Sequence, residues 1–195
     1  MPTQSELENA FQVYFDEIQR CIDCKCYWAL LHLVTVLPDI CGAIESDDGE
    51  ASGPHYKDWC SRYLADTMMS SEDWYGIRCV VLHQGRTLAN RGQYAAYSFS
   101  QPNARGSVVH RNVTDNGNAR QLHLDVVELA REVVAGIRRW FGDVQANTHP
   151  SRSSNVARNL PSLARGHVSR GGPIRVEMTI HQTLTTSSPW PANST

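Results

Sequence analysis

At 195 residues the chain can build one core-forming domain with additions, but not two full-sized ones. Its hydrophobic fraction of 41% and charged fraction of 19% are those of a globular protein, and a net charge of −2 excludes a protein that coats nucleic acid through bulk basic charge. The charge is unevenly placed: residues 1–143 carry 19 acids against 13 Lys and Arg, whereas residues 144–195 carry five Arg and one Glu.

The N-terminus, Met1-Pro-Thr-Gln-Ser-Glu-Leu-Glu, is polar and acidic, without the basic start and apolar run of a signal peptide. Leu7, Phe11, Tyr14, Phe15 and Ile18 recur at three- and four-residue steps, which predicts an amphipathic helix over 5–22 with Ser5 as cap and Glu8 three residues on. A second, more apolar helix is predicted over 26–45, kinked at Pro38 because proline removes a backbone donor. Its most apolar stretch, Trp28 to Leu37, contains His32 and falls well short of the ~20 residues of a membrane span. A cytoplasmic protein with no membrane partner is therefore expected, its six Cys free thiols or metal ligands rather than a disulfide framework.

Ser46 to Pro54 reads as a loop, followed by a third helix over His55–Met69. Ser70 with Glu72 and Asp73 behind it is a helix start, acids in the first turn complementing the helix dipole. The fourth helix carries Trp74, Ile77, Val81 and Leu82 and should stop near Gly85. Tyr94–Phe99 and Ser107–Val113 read as the two strands of a β-hairpin inserted at about 93–113, with a turn at 101–106. Asp125 opens a last helix over Val126–Trp140. Residues 144–195 are rich in Ser, Asn, Pro, Gly and Arg and read as a poorly structured tail, with one weak alternating run from Ile174 to Ile180. The predicted architecture is mainly all-α: about five helices in a domain over 1–143, with an inserted hairpin and a tail.

Two polar residues interrupt the apolar run of the fourth helix: Arg78 and His83. On an α-helix, positions five apart lie about 140° apart around the axis and about 7.5 Å along it, so they flank a cleft rather than stack. The pair suits metal-free phosphodiester cleavage. Histidine exchanges a proton near neutral pH, with a ribose 2′-OH or a leaving 5′-oxygen. Arginine holds the scissile phosphate and offsets charge in the transition state. RNA supplies its own nucleophile. The ordinary explanations are that Arg78 pairs with an acid such as Asp73 and that His83 satisfies carbonyls at its helix terminus. An excess of Arg over Lys, 16 to 2, fits phosphate recognition and equally fits a GC-rich coding sequence.

The helical order, this Arg-x4-His, and the runs Leu37-Pro38-Asp39-Ile40-Cys41 and Leu82-His83-Gln84-Gly85 resemble the HEPN superfamily over roughly residues 5–142, with Asn155 to Leu163 as a further stretch. The resemblance implies a helical bundle that dimerises, two Arg78–His83 pairs at one interfacial cleft, and endoribonuclease action in a toxin-like or antiviral-defence setting. An antitoxin or other regulatory protein would be its partner, and no metal or cofactor would be needed. Where many such motifs follow the Arg with Asn, Asp or His, this chain has Cys79. Non-catalytic members of the superfamily exist, so a dimeric interaction or RNA-binding module is the alternative.

Three acids are supporting candidates. Asp39 and Glu45 on the second helix could orient His83 or hold Arg78, and Asp73 could buttress Arg78 across a dimer interface. Each is otherwise explained as a solvated, pairing or dipole-complementing acid. Cys21-x2-Cys24-x-Cys26 has the look of a metal nest but lacks a second pair at finger-like spacing. The remaining histidines are scattered, with His32 read as a core or interface residue.

Overall fold

A computed structural model describes the backbone of residues 2–84, 91–102 and 108–165. Among these residues the chain is mainly helical with a small three-stranded sheet. The first helix, α1, spans Gln4–Asp23 and starts two residues earlier than Ser5 as cap suggests. Thr3 is its cap, with Glu6 returning a carboxylate to the Thr3 amide at 2.7 Å, so two orphan donors are satisfied reciprocally. Helix α2, Tyr27–Glu45, is continuous through Pro38 and forms the axis of the fold, touching every other helix. It is long and apolar enough to cross a membrane, but Leu30, Leu31, Val34, Leu37, Cys41 and Ile44 are buried inside the protein, as in a core helix.

Helix α3, Gly53–Tyr63, ends before the predicted Met69. Asp66 stops it: its carboxylate accepts the amides of Met68 and Met69, both at 2.9 Å, a local alternative to helix. Helix α4, Ser71–Cys79, begins with the predicted Ser70 cap, and Asp73 completes a capping box. It passes into a π-turn over Val80–Gln84, where an α-helical continuation was predicted. The expected stop at Gly85 lies outside the described residues.

The sheet differs from the predicted hairpin. Strand β1 is Ala96–Ser100, β2 is Asn112–Asp115 and β3 is Arg120–Asp125, in the order β1-β3-β2. The hairpin joins β2 to β3 around Asn116-Gly117, where Gly117 takes φ +82°. The first predicted strand pairs instead in parallel with β3, placing Tyr97 opposite Leu122 and Phe99 opposite Leu124. Asp125 ends β3 and caps α5, Val126–Gln145, accepting from the Val127 amide at 2.8 Å. Phe11, Trp140 and Phe141 meet edge to face with centroids 5.3–5.6 Å apart, tying α1 to α5.

The domain does not end at 143. Residues 150–165, predicted as tail, form helix α6 (Pro150–Arg165), which buries Val156 and Leu160. Its asparagines take up carbonyls that the last turn of α2 leaves unpaired. Asn159 Nδ2 donates to the Ile44 and Ser46 carbonyls at 3.0 and 2.9 Å, and Asn155 Nδ2 to Glu45 O at 2.9 Å. The run from Ile174 to Ile180 lies outside the described residues.

Candidate functional site

Asp39 and Arg78 come together from α2 and α4. Arg78 Nε donates to Asp39 Oδ2 at 2.8 Å, with the two side chains 20% and 10% exposed. Burial works against the charge of Arg78, but the Asp39 hydrogen bond and charge outweigh it and hold the guanidinium above its ordinary pKa. On its other side Asp39 lines an open groove of about 460 Å³ between α2, the 49–51 loop and the end of α6, with Leu163 in its wall. The helix not foreseen in the sequence therefore helps to build this part of the surface.

The π-turn begins two residues after Arg78 and carries the His83 backbone. Its i→i+5 bonding puts more residues into one turn than an α-helix does. Positions 78 and 83 consequently lie nearer one face than the 140° of an ideal α-helix. The divergence expected from α-helical geometry is reduced. The side chain of His83 lies outside the described residues.

Tyr75, one turn before Arg78, collects cations. Its ring centroid is 5.8 Å from Arg78 Cζ, 5.4 Å from Arg91 Cζ and 5.7 Å from Lys57 Nζ. Tyr56 packs on it at 5.7 Å, and the Tyr75 hydroxyl lies so close to Gly53 at the start of α3 that a Cβ there would stand 2.9 Å away. Lys57 also pairs with Glu72 at 2.7 Å. Sequence reasoning missed Tyr75, Lys57 and Arg91: they belong to three segments, and no spacing links them.

The other two acids serve elsewhere. Glu45 lies six residues beyond Asp39, about 120° around α2 and about 9 Å along it. It pairs with Arg62 and accepts Trp140 Nε1–H at 2.8 Å. Asp73 is wholly buried. It caps α4 through Ser70 and accepts the Gln93 amide at 2.7 Å, fastening the segment that carries Arg91. Within the chain it helps to place Arg91.

The three N-terminal cysteines do not converge as ligands. Cys21 is buried while Cys24 and Cys26 are exposed, and no group of three His, Cys, Asp or Glu side chains is placed to hold a metal among the described residues. His32 Nδ1 bonds its own helix, meeting Trp28 O at 2.8 Å. Comparison with protein-family models, with characterised proteins and with solved structures returns no match.

Proposed function

We propose that the chain is a metal-independent endoribonuclease of HEPN type, acting as a cytoplasmic homodimer in a toxin-like or antiviral-defence setting. Arg78 holds the scissile phosphate and His83 moves a proton. The ribose 2′-oxygen attacks the adjacent phosphorus as its proton passes to a base. The bond from phosphorus to the 5′-oxygen breaks, and that oxygen takes a proton as it leaves. The products are a 2′,3′-cyclic phosphate and a 5′-hydroxyl, with His83 as base or acid.

The observation that carries this reading is the bracing of Arg78 by Asp39 immediately before a π-turn that contains position 83. Single π-turns inside helices often mark functional sites, and a guanidinium fixed by a carboxylate is preorganised for a phosphate. The dimer and its regulatory partner rest on the sequence resemblance alone.

The test is cleavage of single-stranded RNA in EDTA by wild type, Arg78→Ala and His83→Ala. Activity that survives chelation and falls about 10²-fold or more in each variant is expected. Undiminished cleavage by the variants would refute the assignment. The alternative, a non-catalytic RNA-binding module, is favoured by Cys79 behind Arg78 and by the cations at Tyr75, which need no chemistry to bind phosphate. RNA binding without cleavage would decide for it.

A further inference from the structure

We propose that Arg91 and Lys57, gathered on Tyr75, form a second phosphate subsite that holds a phosphodiester of single-stranded RNA beside the one at Arg78. The identity of the ligand rests on the ribonuclease reading; the subsite itself rests on three features of the surface.

The first is how the charges at Tyr75 are engaged. Arg91 is exposed, and the contact it makes among the described residues is with the Tyr75 ring, whereas Lys57 and Arg78 beside it each meet a carboxylate. Around Tyr75, Lys57 and Arg78 are engaged by Glu72 and Asp39, while the third carboxylate nearby, Asp73, is buried and taken up by Ser70 and Gln93 rather than by Arg91. The Lys57–Glu72 pair is solvent-facing, so a phosphate competes with it at little cost.

The second is that Arg91 is held in place. Gly92 follows it at φ +78°, and a Cβ there would stand 2.1 Å from Asp73 Oδ1. The Gln93 amide and side chain both donate to Asp73, at 2.7 and 3.1 Å. Gly76 on α4 lets the Arg91 carbonyl approach, at 3.3 Å from where a Cβ would be. A buried carboxylate and two glycines thus fix the backbone of an exposed arginine, which lowers the ordering cost of binding.

The third is spacing. All three cations lie within 5.8 Å of one ring centroid. That compass suits neighbouring phosphates of one strand, not two strands across the wide minor groove of an A-form helix. An aromatic ring among cations is the usual composition of a single-strand path.

The experiment measures binding of a labelled, 2′-O-methylated single-stranded RNA, which cannot be cleaved, in EDTA over a range of salt concentrations. Arg91→Ala should weaken binding about tenfold and make the slope of log K against log salt less negative by about 0.7, one phosphate contact on a single strand. Arg91→Lys should keep the slope, and Lys57→Ala should give a smaller loss. Unchanged affinity and slope in Arg91→Ala would overturn the subsite. Cleavage of ordinary RNA is scored separately. A protein whose binding depends on Arg91 but which cleaves nothing keeps the subsite and loses the ribonuclease reading. One that cleaves yet ignores Arg91 does the reverse. A wild-type protein that fails to bind the RNA at low salt overturns both.

Discussion

Helix α2 supplies an acid to each of two arginines, and the pairs are buried alike: Arg62 is 19% exposed beside Glu45, Arg78 20% beside Asp39. Their surroundings differ. Glu45 also receives the Trp140 indole N–H, Arg62 also reaches Asp58 and the Tyr63 hydroxyl, and that hydroxyl donates to Asp143. Asp58 in turn pairs with Arg152 of α6, so around Arg62 three carboxylates, Glu45, Asp58 and Asp143, are tied to two guanidiniums, an indole and the Tyr63 hydroxyl. Around Arg78 the neighbours are Lys57 and Arg91, and the helix opens into a π-turn. Burial and pairing do not separate a structural ion pair from a candidate binding group; what the neighbouring groups are already engaged with does.

The largest expected effect tests the structural member of the comparison. Glu45→Ala strands Arg62 and a buried indole N–H, and should cost about 3–5 kcal/mol, lowering the melting temperature by on the order of 10 °C in a chain of this size. A melting curve matching wild type would remove the distinction. Asp39→Asn should cost less, about 1–2 kcal/mol, yet reduce RNA cleavage per folded molecule about tenfold through loss of Arg78 positioning. Thermal melts and turnover at saturating RNA measured on the same preparations check both. Equal losses of stability with no change in cleavage would make the two pairs alike.

The contrast was half legible in the sequence. Helical periodicity and caps located α2, α4 and α5 because each buries a regular apolar stripe behind Ser70 or Asp125 or a continuous apolar run. Arg78 stands out as a polar break in such a run, but Asp39 and Glu45 read alike as acids on the second helix, and only the tertiary neighbours tell them apart. The hairpin was misplaced because strand-like composition outweighed the Asn116-Gly117 turn, the stronger local signal. Helix α6 was hidden by its polar composition: it binds through Asn155 and Asn159 to the end of another helix, a long-range use that no local pattern reports. Asn159→Ala should therefore cost about 1–2 kcal/mol, seen as a lower urea midpoint with little change in slope. No loss of stability would mean that α6 contributes little to the fold.

The smallest expected effect concerns a third ion-pair cluster, centred on Glu132 of α5. Glu132 on α5 pairs with Arg111, whose guanidinium also reaches Asp66, and lies 3.1 Å from His110 Nε2. His110 Nδ1 accepts the Asp125 amide at 3.1 Å, so the proton on Nε2 is the one it gives to Glu132. Burial pushes the Glu132 carboxyl upward, but the bonds from His110 and Arg111 outweigh it and hold it below its ordinary 4.5; Asp66 is lowered in the same way, by its backbone amides and Arg111 against burial. A carboxylate with a lowered folded pKa gives stability that is complete above its unfolded value and is lost as pH falls through the folded one. Stability should thus decline from about pH 5 downward. Glu132→Gln should give a lower plateau near neutrality and a shallower acid limb, because one proton-linked group is gone. Denaturant midpoints measured from pH 3 to 7 would show it. Parallel acid limbs for the two proteins would mean that Glu132 does not set the acid response. Because this cluster lies apart from the cations at Tyr75, the same substitution should leave RNA affinity at pH 7 unchanged, which separates a loss of fold stability from a loss of phosphate binding.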